Sequence, residues 1–353
     1  MNFSYSVVIR TLGNAGDKYE ALLLSISRQT ILPEEVIVVV PEDCRLEQHA
    51  INERIIRTPK GMVTQRAAGI NAAKSDFILV CDDDLQFPPE MVENLYLFLL
   101  KHHLDCCLPM EGCNATDEEA TISLKRPLLT TLRYAFTGQM FLSRRKTEWL
   151  DVLTYTAGHK VFINSNKLDK CYLCRTACFQ CFFIKTAFAK AAHFEQEEWL
   201  QQGSMSSYAA YDEPVFFSKL NQQGLRMAYS LRTRYQHLDA AAGRQAKNAT
   251  EAKKIRYFTT ARNRTIYWYK FIFLPARALK KLLAIAGGAY GLTNYAIFTI
   301  LVNLRPRHIH TLTALFRGYR EAFQYISDHK KHKPKRNRDN ALHLLSNSQG
   351  NRK

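Results

Sequence analysis

Three consecutive aspartates, Asp82, Asp83 and Asp84, have the clearest capacity for chemistry in this chain. They follow the apolar run 77–80, which predicts a buried strand, and ligands of open α/β sheets bind at the carboxyl ends of strands. Adjacent carboxylates repel one another unless a cation or hydrogen-bond donors compensate. Mg²⁺ or Mn²⁺, bound by one or two carboxylates and by substrate phosphate oxygens, would do so; the alternative is a solvated acidic turn.

The order of side chains along the aspartate run indicates which of them would bind a metal. In an extended segment, alternate side chains lie on the same side. We therefore expect Asp82 and Asp84, rather than Asp83, to be the metal ligands.

Apolar periodicity predicts the elements that position these residues. Strands and helices alternate over the first 80 residues, which is typical of an α/β fold with a mostly parallel central sheet flanked by helices. The predicted strands are 5–10, 36–40, 77–80, 171–185 and 225–235, and the predicted helices are 17–29, 61–73, 187–200 and 212–224.

Composition and charge divide the chain. A sequence of 353 residues with 46% hydrophobic content can bury a full core, which excludes disorder of the whole chain. The net charge of +17 lies entirely at the C-terminal end, because residues 231–353 carry 25 Lys and Arg against 5 Asp and Glu. This basic part predicts contact with an anionic surface. The first residues lack a secretory signal, so we expect a catalytic part in the cytosol and no structural disulfides among nine cysteines.

The C-terminal third favours membrane association. Residues 282–304 carry no charge and are flanked by basic residues, which satisfies the length rule for a membrane span, although glycines and asparagines make an interfacial helix at least as consistent. The alternative is a soluble helical cap. We predict a catalytic domain over 1–245, an aromatic and basic helical region over 246–330 that is membrane-associated, and a basic disordered tail over 331–353.

Several segments together resemble family 2 glycosyltransferases of the GT-A fold. The run Cys81-Asp82-Asp83-Asp84-Leu85 resembles the aspartate-x-aspartate motif of that family, and 7–11, 24–39 and 61–76 resemble its first elements in order. The resemblance covers about residues 5–100 well and 175–240 more loosely. It implies a nucleoside diphosphate sugar donor, a divalent cation (Mn²⁺ or Mg²⁺), and transfer to an acceptor hydroxyl with inversion.

The resemblance also assigns roles to individual residues. It implies that Asp82 and Asp84 bind the metal with His237, and that five residues bind the nucleotide sugar: Thr11, Asp43, Arg66, Asp82 and Asp83. Two positions depart from the family pattern. Ala67 replaces an asparagine, and Pro41-Glu42-Asp43 replaces an acidic pair, which leaves Glu42 as the alternative to Asp43 for contacting the base.

Asp212 and Glu213 are the candidates for the catalytic base. They begin a predicted helix, where the helix dipole favours carboxylates whatever their role. An inverting transfer needs a carboxylate to take the proton of the attacking hydroxyl. By resemblance the pair matches the Glu-Asp motif of the family in reversed order, so the base is Asp212 or Glu213, with Glu213 at the usual base position.

The sequence thus predicts a metal-dependent glycosyltransferase that acts on a glycan or lipid-linked acceptor at the cytoplasmic face of the cell membrane, in cell-surface polysaccharide or lipid-linked glycan synthesis. A nucleotidyltransferase is an alternative, but the loop 13–16 lacks the longer glycine-rich and basic signature. A basic nucleic-acid-binding protein would explain the tail but not an acidic cluster at a strand end. We therefore expect no nucleic acid partner.

Overall fold

Nine strands of the described residues form one sheet. The computed structural model describes residues 3–46, 51, 53–112, 155–158, 171–238, 248–303 and 309–331. In chain order the strands are β1 (Tyr5–Arg10), β2 (Glu35–Pro41), β3 (Arg54–Thr58), β4 (Phe77–Asp82), β5 (Leu85–Gln86), β6 (Cys106–Glu111), β7 (Tyr172–Cys174), β8 (Cys181–Lys185) and β9 (Met227–His237).

Helices lie between these strands and after them. The α-helices are α1 (Asp17–Ser27), α2 (Met62–Ala72), α3 (Met91–Lys101), α4 (Thr186–Ala191), α5 (Asp212–Gln222), α6 (Ala249–Tyr267), α7 (Leu279–Val302) and α8 (Ile309–Lys331). A 3-10 helix covers Phe194–Gln201, and a π-helix, Trp268–Phe273, continues α6.

The strand order of the sheet is β3-β2-β1-β4-β8-β6-β9-β5. The sheet is mostly parallel, because six of its nine strands, β1 to β4, β6 and β9, run in the same direction. Strands β1 to β4 run parallel, β8 is antiparallel to β4 and β6, and β9 is parallel to β6. Strand β7 pairs with β9 outside this order. The predicted α/β class is therefore confirmed. The carboxyl ends of β1 and β4 meet at one edge, where a ligand can approach.

Two apolar clusters cover the two faces of the sheet. Because side chains alternate along a strand, Val8 packs with Ile37 on one face, while Val7 and Val38 pack on the other. Buried strands with apolar residues on both faces are typical of parallel sheets flanked by helices. This burial holds the strand ends, and the residues that follow them, in fixed positions.

The structure also differs from the predicted elements. Strand β3 was not predicted, since its sequence Arg-Ile-Ile-Arg-Thr has a charged residue near each end and lacks a continuous apolar run. The predicted strand 171–185 is wrong as a single strand, because β7 and β8 are separated by a turn. The predicted helix 187–200 divides into α4 and a 3-10 helix. The eight described cysteines are free thiols.

The C-terminal helices pack against the preceding part of the chain and against one another. Arg262 Nη1 on α6 donates to the Trp199 carbonyl oxygen at 2.7 Å. Helix α8 approaches α6 closely, since a Cβ at Gly318 would lie 2.4 Å from the carbonyl oxygen of Phe258. Helix α7 is the described helix long and apolar enough to cross a membrane, and 22% of its most apolar 18 residues are buried. The domain boundaries at 245 and 330 stay predictions, and residues 332–353 of the predicted tail lie outside the described residues.

Candidate active site

Arg10 and Asp82 end two neighbouring parallel strands. The register of β1 and β4 places them side by side, and Nη2 of Arg10 lies 3.3 Å from Oδ1 of Asp82. The Asp82 carboxylate also receives Nη2 of Arg66 at 3.3 Å. One carboxylate oxygen therefore binds two guanidinium groups at the carboxyl edge of the sheet.

Arg66 joins the two acidic clusters of the sequence. It lies on α2 and is 4% exposed, and its Nη1 donates to Oδ2 of Asp212. Its guanidinium lies 4.1 Å from the centre of the Phe179 ring, a favourable cation–π geometry. Since Arg66 contacts both Asp82 and Asp212, it brings the strand end and the start of α5 into one site.

Asp83 is hydrogen-bonded to the loop after β1. Thr11 Oγ1 donates to Oδ2 of Asp83, and Thr11 in turn accepts from the Gly13 backbone N–H at 2.9 Å. Burial raises the pKa of Asp83, while the Thr11 hydroxyl opposes the rise. Gly13 has φ of 76° and a Cβ there would lie 2.1 Å from Cys44 Sγ, so this loop requires glycine.

Asp43 lies in the exposed turn after β2. The next residue, Cys44, contacts Gly13 and directs its thiol to the Leu12 carbonyl oxygen at 3.6 Å. This contact places the turn beside the loop that carries Thr11. The structure therefore brings the predicted nucleotide-binding residues of the first half to one edge.

Asp84 pairs with His237 through the short ladder between β5 and β9. Leu85 is the register partner of His237, and Asp84 Oδ2 lies 3.2 Å from His237 Nε2. The other ring nitrogen lies 3.6 Å from Glu111 Oε1. Backbone pairing thus joins the aspartate run to a residue that follows it by more than 150 positions.

The three aspartates do not form an extended segment, so this premise of the metal prediction was wrong. Strand β4 ends at Asp82, and Asp83 and Asp84 form a turn. A turn abolishes the alternation of a strand, and each carboxylate consequently meets a different partner.

The site has an excess of negative charge that a cation would balance. Asp84 and His237 are close enough to ligate one ion, because two donors at about 2.1 Å from a metal lie roughly 3 Å apart. Within the described residues, no group of three or more His, Cys, Asp or Glu is arranged to hold a metal by itself. The arrangement suits a cation completed by phosphate oxygens of a substrate. Asp82 and Asp212 are paired with the two arginines, whereas Asp84 and Glu111 both lie beside His237.

Asp212 and Glu213 begin α5 and lie in different surroundings. Asp212 is buried, pairs with Arg66 and accepts from the Glu213 backbone N–H at 3.0 Å. Glu213 is partly exposed, and its Oε1 accepts from the Phe179 backbone N–H at 3.2 Å. Burial, followed by the adjacent Asp212 carboxylate, raises the pKa of Glu213 to about 7. Glu213 is thus suited to exchange a proton near neutral pH.

Three residues of the site were missed by sequence reasoning. Arg10 could have been found, because it ends the first predicted strand as Asp82 ends the third. Glu111 and Phe179 could not have been found in this way. Glu111 ends a strand that was not predicted, and Phe179 contributes its backbone N–H and its ring, which no motif specifies.

A family model matches the part of the chain that contains the first half of the site. Residues 6–147 match the model of the family Glycosyl transferase family 2, which confirms the resemblance to that family. The matched region contains Thr11, Asp43, Arg66 and the three aspartates. It ends before Asp212, Glu213 and His237, so the second half of the site lies outside the match.

Individual proteins are similar over different shares of the chain. YwdF of Bacillus subtilis (strain 168), an uncharacterized glycosyltransferase, is 37% identical over 81 residues, which are 21% of this chain and 30% of that protein. S. aureus TarS 1–349 in complex with UDP-GlcNAc is 16% identical with a TM-score of 0.49, covering 90% of this chain and 81% of that one. The mannosyltransferase PcManGT of Pyrobaculum calidifontis, in complex with GDP-Man and Mn²⁺, is 12% identical with a TM-score of 0.47, covering 92% and 88%.

Proposed function

We propose that this protein is an inverting glycosyltransferase that uses a nucleoside diphosphate sugar. The observation that carries the proposal is the single site formed by Asp82, Arg66 and the pair Asp212–Glu213, at the carboxyl edge of a sheet whose first half matches a glycosyltransferase family. An acidic edge beside arginines suits a cation and the diphosphate that it accompanies.

Glu213 is the proposed base. The acceptor oxygen attacks the anomeric carbon of the donor, the bond from that carbon to the diphosphate breaks, and the nucleoside diphosphate leaves with the bonding electron pair. Glu213 takes the acceptor proton, for which its raised pKa is suited. Attack from the face opposite the leaving group gives the inverted configuration. Asp212, which is engaged by Arg66, orients the pair.

Donor binding is assigned to the residues at the strand ends. Thr11, Asp43 and Asp83 line the nucleotide side, and Arg10 and Arg66 provide positive charge beside the diphosphate. Asp84 and His237 would hold a divalent cation, and Asp82 would join them if one of its arginine contacts opened. Bound there, the cation would neutralise charge on the departing diphosphate.

The acceptor is proposed to be a glycan or lipid-linked saccharide at the cytoplasmic face of a membrane. Only two residues of helix α7, Lys280 and Lys281, are charged. The helix exposes six large apolar side chains: Leu279, Leu282, Ile285, Ile297, Leu301 and Val302. Helix α8 exposes Phe316 and Phe323 beside Arg317 and Arg320. Exposed aliphatic and aromatic residues with adjacent basic ones are typical of helices that lie at a lipid surface.

Thermal unfolding with nucleotides tests the donor part of this proposal. A ligand that binds the native state at 100 times its Kd raises the free energy of unfolding by about 2.7 kcal/mol. We expect UDP, GDP or dTDP to raise the Tm, and Mn²⁺ to increase that shift. The anomeric configuration of the product, read by NMR, tests inversion. A folded protein whose Tm responds to none of the three nucleotides, with or without Mn²⁺, would contradict the proposed function.

A further inference from the structure

Tyr211, the residue immediately before the proposed catalytic pair, has a left-handed backbone conformation. Its φ is 75° and its ψ is 10° at the N-terminal boundary of α5. This conformation is uncommon and unfavourable for a bulky side chain. The surroundings of Tyr211 must therefore hold it in place, and the direction in which α5 begins depends on them.

Two separate parts of the chain supply the contacts that hold this residue. The Tyr211 hydroxyl donates to the Ala157 carbonyl oxygen at 3.0 Å, and its ring lies 5.7 Å from that of Tyr267 on α6. The amide of Asn263, also on α6, donates to the Ala210 carbonyl oxygen at 2.8 Å. The segment 155–158 and α6 thus fix both the side chain and the preceding backbone.

The segment 155–158 is held in turn by the apolar helix α7. Arg264 Nη2 donates to the Thr156 carbonyl oxygen at 2.8 Å. A Cβ at Gly291 would lie 2.6 Å from that same oxygen, and one at Gly287 would lie 2.6 Å from the Cβ of Tyr155. Helix α7 therefore lies directly on the backbone that receives the Tyr211 hydroxyl.

We propose that Tyr211 is a positioning residue for Asp212 and Glu213, and that α7 sets its position through the segment 155–158. The inference rests on the proposed function, because it assigns a catalytic use to the direction of α5. It gives the apolar helix a second role besides contact with lipid. A displacement of α7 moves the acceptor of the Tyr211 hydroxyl, and the left-handed residue transmits this shift to the next two residues.

The variant Tyr211→Phe in the full chain tests the inference. It removes the hydroxyl and keeps the ring beside Tyr267. We expect kcat to fall about 10-fold, since small displacements of a catalytic group have effects of this order or larger, while the donor KM and the nucleotide-induced Tm shift stay within twofold. The assay measures nucleoside diphosphate released from UDP-GlcNAc, GDP-mannose and dTDP-rhamnose with Mn²⁺. Tyr5→Phe is the matched control, because it removes a 2.7 Å bond to the Ile31 carbonyl oxygen at the end of β1 opposite the site.

A second variant approaches the same contact from α7. Gly291→Ala places a methyl group against the Thr156 carbonyl oxygen, and we expect a similar loss of kcat with unchanged donor KM. Gly291→Ala acts on Tyr211 by shifting the segment 155–158, whose Ala157 carbonyl oxygen accepts from the Tyr211 hydroxyl. The effects of the two changes in the double variant should therefore be clearly less than additive. Unchanged kcat in Tyr211→Phe, or full additivity, overturns the inference alone. A wild-type protein that releases no diphosphate from any donor overturns the proposed function and the inference with it.

Discussion

The guanidinium of Arg66 is ion-paired with the carboxylate of Asp212, although the two residues lie 146 positions apart. Both side chains are buried, and the same guanidinium contacts Asp82. A buried charge pair contributes little net stability over an apolar replacement, but the loss of one partner leaves the other charge without compensation. Arg66 is therefore central both to the order of the site and to the stability of the fold.

We predict that Arg66→Gln lowers the free energy of unfolding by roughly 3–5 kcal/mol, because Asp212 then loses its buried partner. Urea unfolding measures this loss. Arg54→Gln is the control, since the Arg54–Glu35 pair at 3.2 Å is more exposed and its removal should cost only about 0–1 kcal/mol. Equal urea midpoints for the Arg66→Gln and wild-type proteins would show that the pair does not contribute as proposed.

The fold was largely predictable because its central strands have unambiguous patterns. The run Val36-Ile37-Val38-Val39-Val40 is apolar on both faces, and the structure buries all five of these residues in β2. By contrast, β3 carries arginines near both ends and gave no comparable signal. A strand could therefore be recognised from the sequence where burial on both faces gave it a continuous apolar run, and was missed where it did not.

The candidate site was predictable in its members but not in its contacts. Position after an apolar run identified Asp82, and resemblance identified Asp212, yet their connection through Arg66 depends on where the fold places α2 relative to the start of α5. A turn was one of the two alternatives for the aspartate run, but the separate partners of Asp83 and Asp84 are residues distant in the sequence. Tertiary contacts decided both outcomes.

We predict that Asp84→Ala removes the Mn²⁺-dependent part of the nucleotide-induced Tm shift and of turnover. The reason is that Asp84 and His237 are 3.2 Å apart and are the proposed cation ligands. Asp76→Ala is the matched control, because Asp76 directly precedes β4, at the end of that strand opposite the site, where it accepts from the Ser4 hydroxyl. An Asp84→Ala protein with full Mn²⁺-dependent activity would remove the metal role from this residue.

We predict that the triple change Leu282→Gln, Ile297→Gln and Leu301→Gln releases the protein from lipid vesicles. All three side chains are exposed on α7, and withdrawing three such groups from an apolar phase should weaken binding at least about 10-fold. Sedimentation with vesicles of phosphatidylglycerol and phosphatidylethanolamine measures the bound fraction.

The control variant carries three leucine-to-glutamine changes on helices α1 and α3 instead of α7. Leu24, Leu97 and Leu100 are also large exposed apolar residues, on α1 and α3, and their replacement by Gln should leave the bound fraction unchanged. If both triple variants lose vesicle binding equally, the proposal that α7 makes a specific contact with lipid is wrong.

We expect the activity and the stability of the protein to change in opposite directions with pH because of Glu213. Its pKa is raised from an ordinary value of 4.5 to about 7 by burial and by Asp212, so the folded state favours the protonated form. This stabilisation is fully present below the pKa of the unfolded state and is lost as the pH rises through about 7. The proposed base must be ionised to act, so kcat should rise over the pH range in which stability falls.

We predict that Glu213→Gln lowers kcat by about 10²–10⁴-fold and raises the free energy of unfolding at pH 8 by on the order of 1–3 kcal/mol. The amide of the variant cannot take the acceptor proton, which lowers kcat. It also carries no charge whose burial would destabilise the folded state at pH 8. Rates and urea midpoints measured from pH 5 to 8 follow both effects, with Glu198→Gln as the control because Glu198 is exposed. A Glu213→Gln protein that keeps wild-type kcat would exclude Glu213 as the base, and one with lower stability at pH 8 would contradict the raised pKa.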